Sequence, residues 1–174
     1  MDLLKNMRLI MLLCLFFVLS CGDKFTEIPG VKKRLTASSL AGELPTTDGS
    51  LINLASDGNK ITVLQFASDS CTVCAEEAKS FRSHLRDQNI APSKIKLVSI
   101  IVGAILIDAQ DWKSRLGVPW TVAYDTESIV FKKHCSQNTV PCIVIHSPEK
   151  GVVLSKHGVV KMDEILSHTG DWEN

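Results

Sequence analysis

From Ile61 to Leu85 the chain reads ITVLQFASDSCTVCAEEAKSFRSHL: a β-branched and apolar run, a short polar turn, a Cys-x-x-Cys pair and an amphipathic segment, with no spacer between them. The apolar run predicts a buried strand, and the recurrence of Ala75, Ala78, Phe81 and Leu85 predicts a helix. Cys71 then falls at the helix N-terminus and Cys74 one turn inside it.

That placement is chemically loaded. Thiolate is the reactive form of cysteine, and the unpaired N–H groups and positive dipole end of a helix favour it. Cys71 is the expected nucleophile, and Cys74, facing the core, the residue expected to resolve a mixed disulfide. A spacing of two residues lets one helical turn bring the sulfurs within bonding distance. The structural alternatives are half of a zinc site or a static disulfide. Zinc needs about four ligands, and the chain offers neither a second Cys pair nor a Cys/His pair at similar spacing.

A length of 174 residues with 45% hydrophobic content fits one globular domain with a real core. Nineteen basic side chains balance 19 acidic ones with no basic cluster, which argues against a nucleic-acid partner.

The first 20 residues stand apart. Lys5 and Arg8 precede the apolar run Leu9 to Leu19, short for a bilayer span but suited to the core of a secretory signal. The run ends in Val18-Leu19-Ser20-Cys21-Gly22, which resembles the bacterial lipoprotein processing site, with Cys21 as the lipidated first residue of the mature chain. An ordinary signal cleaved near Ser20 and an uncleaved anchor helix are the other readings, and all three export the domain. The expected organisation is a signal peptide at 1–20, lipidated Cys21 with a polar tether at 21–41, and a folded domain at 42–172. Of six cysteines, this leaves Cys71, Cys74, Cys135 and Cys142 in the folded part, in an oxidising compartment where a reactive pair needs a redox partner.

Within the domain, Asp48-Gly49 marks a hairpin in ELPTTDGSLINL and Asp57-Gly58 a second turn. The first core strand, Ile61 to Phe66, leads into the Cys-x-x-Cys helix, which is expected to end near Asn89. IKLVSIIV at 95–102 reads as a strand buried on both faces of a parallel sheet. A helix from Asp108 to Leu116 closed by Gly117, a strand from Trp120 to Ala123 and a helix from Thr126 to His134 capped by Thr126 follow. Pro141 opens a strand from Cys142 to His146, Val152 to Ser155 returns antiparallel, and Met162 to His168 forms the closing helix. The order predicts a mixed sheet with helices on both faces.

This pattern resembles the thioredoxin fold, and within it the exported, membrane-anchored redoxin-like thiol:disulfide oxidoreductases that include the cytochrome-maturation type. The segments that carry the resemblance are DGSLINL, FASDSCTVCAEEA, YDTESIVFKKH and TVPCIVIHSPEKGVVLSKHG, which spread over residues 42–169. The resemblance implies an α/β three-layer α/β/α sandwich with an N-terminal β-hairpin extension and a mixed central sheet. It implies that Pro141 is the cis-proline beside the redox pair, that the Val140 backbone pairs with an incoming peptide, and that Glu77 is an acidic residue available for proton transfer.

The chain also departs from the family. Ser70 replaces the usual aromatic residue before the first cysteine, Thr72-Val73 lacks the usual proline between the cysteines, and Lys79 stands where a proline often kinks the helix. Gln65 sits where thioredoxins proper carry a buried carboxylate, so proton transfer must use water, Glu77 or another group. Asp69, Glu76 and Glu77 oppose a thiolate, which predicts a reductant or mild exchanger rather than a strong oxidant.

No cofactor or metal is expected. The expected partners are protein dithiol and disulfide substrates, an extracytoplasmic electron donor, and the membrane through the N-terminal lipid, on the periplasmic side of a bacterial envelope. Two other readings use the same scaffold. A copper-handling module would draw on His134 and His146, although the copper chaperones of this fold resemble a Cys-x-x-x-Cys spacing. A peroxiredoxin would need a proline seven residues and a Thr or Ser three residues before its reactive cysteine, where Cys71 has Leu64 and Ser68. Cys135 and Cys142 read most simply as a semi-exposed thiol and a small buried strand residue, with a second disulfide or a third redox thiol as the sharper alternative. Trp112 and Trp120 read as core or edge packing, and His84, His157 and His168 carry no assigned role.

Overall fold

A computed structural model of the chain describes residues 42–54, 60–87 and 95–168. The signal, Cys21, the tether, the Asp57-Gly58 turn, and Asn89 with the chain just after it lie outside the described residues. Strands β1 (Glu43–Pro45) and β2 (Leu51–Asn53) pair antiparallel as the expected hairpin. Gly49 at its tip has φ 85°, the region glycine enters without penalty. Asp48 accepts hydrogen bonds from Thr46 Oγ1, Ser50 Oγ and Ser50 N–H, which hold its carboxyl well below the usual carboxylate range.

The main sheet has the order β5-β4-β3-β6-β7, with β3 Ile61–Ala67, β4 Ile95–Val102, β5 Thr121–Asp125, β6 Cys142–Ser147 and β7 Gly151–His157. Strands β3, β4 and β5 run parallel, while β6 is antiparallel to β3 and β7 to β6. Four helices cover it among the described residues: α1 Thr72–Asp87, α2 Leu106–Leu116, α3 Ile129–His134 and α4 Met162–Ser167. This is the mixed sheet with helices that the order of elements predicts, in the thioredoxin-like arrangement that the resemblance implies. Among the described residues no helix is long and apolar enough to cross a membrane.

Alternation along the strands divides the core. Leu64, Phe66, Val98, Ile100, Cys142 and Val144 pack on one face with Val130 and Phe131 of α3. On the other face Val63, Ile143 and Ile145 pack with Phe81 of α1 and Ile165 of α4, and Ala67, Ile101 and Val122 pack with Cys74 of α1 and Trp112 of α2.

Two local expectations change. Thr126 does not cap α3, because its hydroxyl donates instead to Ala104 O, 2.9 Å away. The carboxylate of Asp125, at the end of β5, accepts from Ile129 N–H (3.0 Å) and Phe131 N–H (2.8 Å), and α3 begins only after Ser128 takes φ 57°. The helix thus starts later and is shorter than expected, with Ser128 at the N-cap position and Asp125, not Thr126, satisfying its first amides.

Candidate active site

The end of β3 places the Cys-x-x-Cys pair. After Ala67 the chain turns through Ser68–Ser70, with Cys71 N–H donating to Ser68 O (3.2 Å) and Arg115 of α2 donating to Asp69 O (3.0 Å). Cys71 immediately precedes α1, and Ala75 N–H donates to its carbonyl. Cys71 and Cys74 form a disulfide with a Cα–Cα distance of 5.3 Å. Cys74 is fully buried and Cys71 only partly so, so a thiol arriving from solvent meets Cys71 first. Cys74 N–H points at Cys71 Sγ across 3.1 Å, a donor ready to stabilise negative charge on that sulfur.

Opposite this turn, the Val140–Pro141 peptide bond is cis. Cys142 sits across from Phe66 in the β3–β6 register, which brings Pro141 to the same end of the sheet as Cys71. Val140 is half-buried and packs against the cluster that holds Cys71 and Cys74, so these expected site residues come together.

Beneath the pair lies a buried polar chain that pattern reading did not assemble. Gln65 and Ser99 are cross-strand partners on the face covered by α1. Trp120 Nε1–H donates to Ser99 Oγ (2.9 Å), Ser99 Oγ–H donates to Gln65 Oε1 (2.7 Å), and Gln65 Nε2–H donates to Glu77 Oε2 (2.8 Å) and Cys74 O (3.3 Å). Indole nitrogen can only donate, and with the Ser99 hydroxyl donating onward to Gln65 Oε1, Gln65 presents its amide N–H₂ to Glu77. Glu77 Oε1 accepts from Val160 N–H at 2.8 Å. Burial pushes the Glu77 carboxyl up, and the bonds from Val160 and Gln65 oppose that shift. Glu77 therefore reaches Cys74 through Gln65. Trp120 is a donor in this chain, a role beyond the core or edge packing expected of it.

Cys135 and Cys142 form a second disulfide, Cα–Cα 6.3 Å, with both residues buried. This replaces the simpler reading of two separate thiols: Cys135 ends α3 and Cys142 begins β6, so the chain between them turns back on itself. His134 is pushed down by burial and then by Lys133 and His146, and His146 is pushed down by burial. Among the described residues no group of three or more His, Cys, Asp or Glu side chains is placed to hold a metal ion.

A family model described as the AhpC/TSA family matches residues 38–165. No curated protein matches the chain significantly. Among solved structures the chain is similar to a secreted Mycobacterium tuberculosis disulfide oxidoreductase homologous to E. coli DsbE, with 19% identity, 75% of this chain and 95% of that chain covered, and a TM-score of 0.62. It is similar to Mycobacterium tuberculosis DsbF in mixed oxidized and reduced forms (20% identity, 75% and 93% covered, TM-score 0.64). StoA from Bacillus subtilis is another match (18% identity, 74% and 95% covered, TM-score 0.60). At these identities the likeness is one of fold.

Proposed function

The chain belongs to the AhpC/TSA family, and we propose that within it this protein is a thiol:disulfide oxidoreductase that reduces or exchanges disulfides of other proteins outside the cytoplasm. The observation that carries the reading is the asymmetry of the Cys71–Cys74 disulfide at the mouth of α1, one cysteine partly accessible and the other fully buried.

In the proposed reaction Cys71 thiolate attacks a substrate disulfide, forms a mixed disulfide and releases one substrate thiolate. Cys74 then attacks Cys71 Sγ, closing the Cys71–Cys74 bond and releasing the second substrate thiolate, so two electrons pass to the substrate. Cys74 must lose its proton for the second step. Glu77 is the buried group proposed to accept it through an intervening water, and burial, which raises its pKa, favours the protonated product of that transfer. The Val140 backbone, ahead of Pro141, is the proposed docking edge for the substrate segment.

Export and tethering are part of the proposal, supported by the Leu9 to Leu19 run and the Ser20-Cys21-Gly22 end of the signal. The secreted nature of the Mycobacterium tuberculosis oxidoreductase agrees with it. An electron donor on the same side of the membrane would return the pair to its dithiol form. Insulin reduction by wild type and Cys71→Ser tests the activity: turnover by wild type that vanishes in the variant supports it, and equal turnover refutes it. Peroxide consumption without an added dithiol partner would favour a peroxidase instead.

A further inference from the structure

We infer that the Cys135–Cys142 disulfide and His157 together clamp the loop at 136–140, presetting it for a protein substrate; the inference rests on the docking role proposed for Val140. The loop joins α3 to β6 and is exposed from Ser136 to Thr139, with nothing apolar to fix it until Val140. Left to itself, such a segment would sample many backbone states and would have to be ordered each time a substrate bound.

The structure removes that freedom at both ends and in the middle. The disulfide ties the last turn of α3 to the first residue of β6, and with Cys135 1% and Cys142 0% exposed its sulfurs are closed to a partner protein. That burial suits a fastener and sets it apart from the Cys71–Cys74 pair. From β7, Gln137 N–H donates to His157 Nε2 at 3.2 Å. A backbone N–H only donates, so Nε2 must accept and the ring proton sits on Nδ1, which faces Thr139 O at 3.1 Å with Thr139 Oγ1 at 3.3 Å. Ser155 Oγ–H donates to His134 O and Gly158 N–H to Pro141 O, each at 2.9 Å. His134, Gln137, Thr139 and Pro141 are thus pinned to one strand and its end. Val140, between the last two, packs against both the cluster holding Cys135 and Cys142 and the cluster holding Cys71 and Cys74. His157 is a positioning residue in this account, as is the buried disulfide.

The test compares wild type, Cys135→Ala/Cys142→Ala and His157→Phe, each pre-reduced at Cys71 and Cys74, against insulin and against the small disulfide 5,5′-dithiobis(2-nitrobenzoic acid). Amide exchange across 136–140 is measured on the same proteins. The expected result is a loss of about tenfold or more in kcat/KM for insulin, carried mainly by KM, with the small-disulfide rate within about twofold of wild type. Loop amides should exchange at least about tenfold faster. His157→Phe keeps both disulfides and so answers the question if the double variant folds poorly. Unchanged exchange or an unchanged insulin KM overturns the clamp, and so does an equal loss on both substrates. A wild type that reduces the small disulfide but not insulin overturns the docking reading itself, which is distinct from wild-type insulin turnover that the variants leave intact.

Discussion

Gln65 Nε2 donates to Glu77 Oε2 across 2.8 Å, and both side chains are buried beneath the redox pair. The same amide nitrogen reaches Cys74 O at 3.3 Å, so one side chain ties the carboxylate to the backbone of the buried cysteine. A buried carboxylate survives only with donors to satisfy it, and here Gln65 and Val160 supply them.

Glu77 should leave a signature in stability against pH. Burial raises its pKa above the ordinary value of 4.5. The folded chain therefore holds that proton more tightly than the unfolded chain does. The stabilisation is complete below the unfolded pKa and is lost as pH rises through the raised folded value. Thermal melts from acid to neutral pH should show wild-type Tm falling across that window relative to Glu77→Gln, which cannot ionise. A pH-independent difference between the two proteins would contradict the raised pKa.

The Cys71 thiol should titrate as that of a moderate nucleophile. Cys74 N–H and the helix end favour its thiolate, while the carboxylates of Asp69 and of Glu76, the latter paired with Lys79, lie close in sequence and oppose it. Titration of the reduced protein by thiolate absorbance, with Cys74→Ser to isolate Cys71, should give a pKa above about 5; a lower value would mark a strong oxidant.

Asp125→Ala should destabilise the fold by about 1–2 kcal/mol, since it deletes the cap that satisfies two N–H groups of α3. Urea unfolding measures the loss. Thr126→Ala should cost less, because its hydroxyl caps no helix.

Much of this molecule can be read from one dimension. The IKLVSIIV run occupies β4 over Ile95–Val102 as expected, because a continuous apolar run has few other ways to be buried. The Cys-x-x-Cys pair, Gly117 as the αL residue closing α2, and the hairpin around Gly49 follow from local chemistry in the same way. What stays hidden is the pairing of polar residues far apart in the chain. Ser99 and Trp120 join Gln65 and Glu77 only because parallel strands set Gln65 and Ser99 side by side. His157 is uninformative in sequence, and its role appears once β7 is laid against the loop before Pro141. Cys135 and Cys142 are spaced for several fates, and the turn from α3 into β6 selects the disulfide.

Everything rests on Cys71 trading a bond with a sulfur of another protein. The most direct measurement is the intact mass of reduced Cys74→Ser after incubation with insulin. The account predicts a covalent adduct linked through Cys71, released by dithiothreitol and absent when Cys71 is also replaced by Ser. A variant that folds and keeps a free Cys71 thiol yet forms no adduct would contradict it.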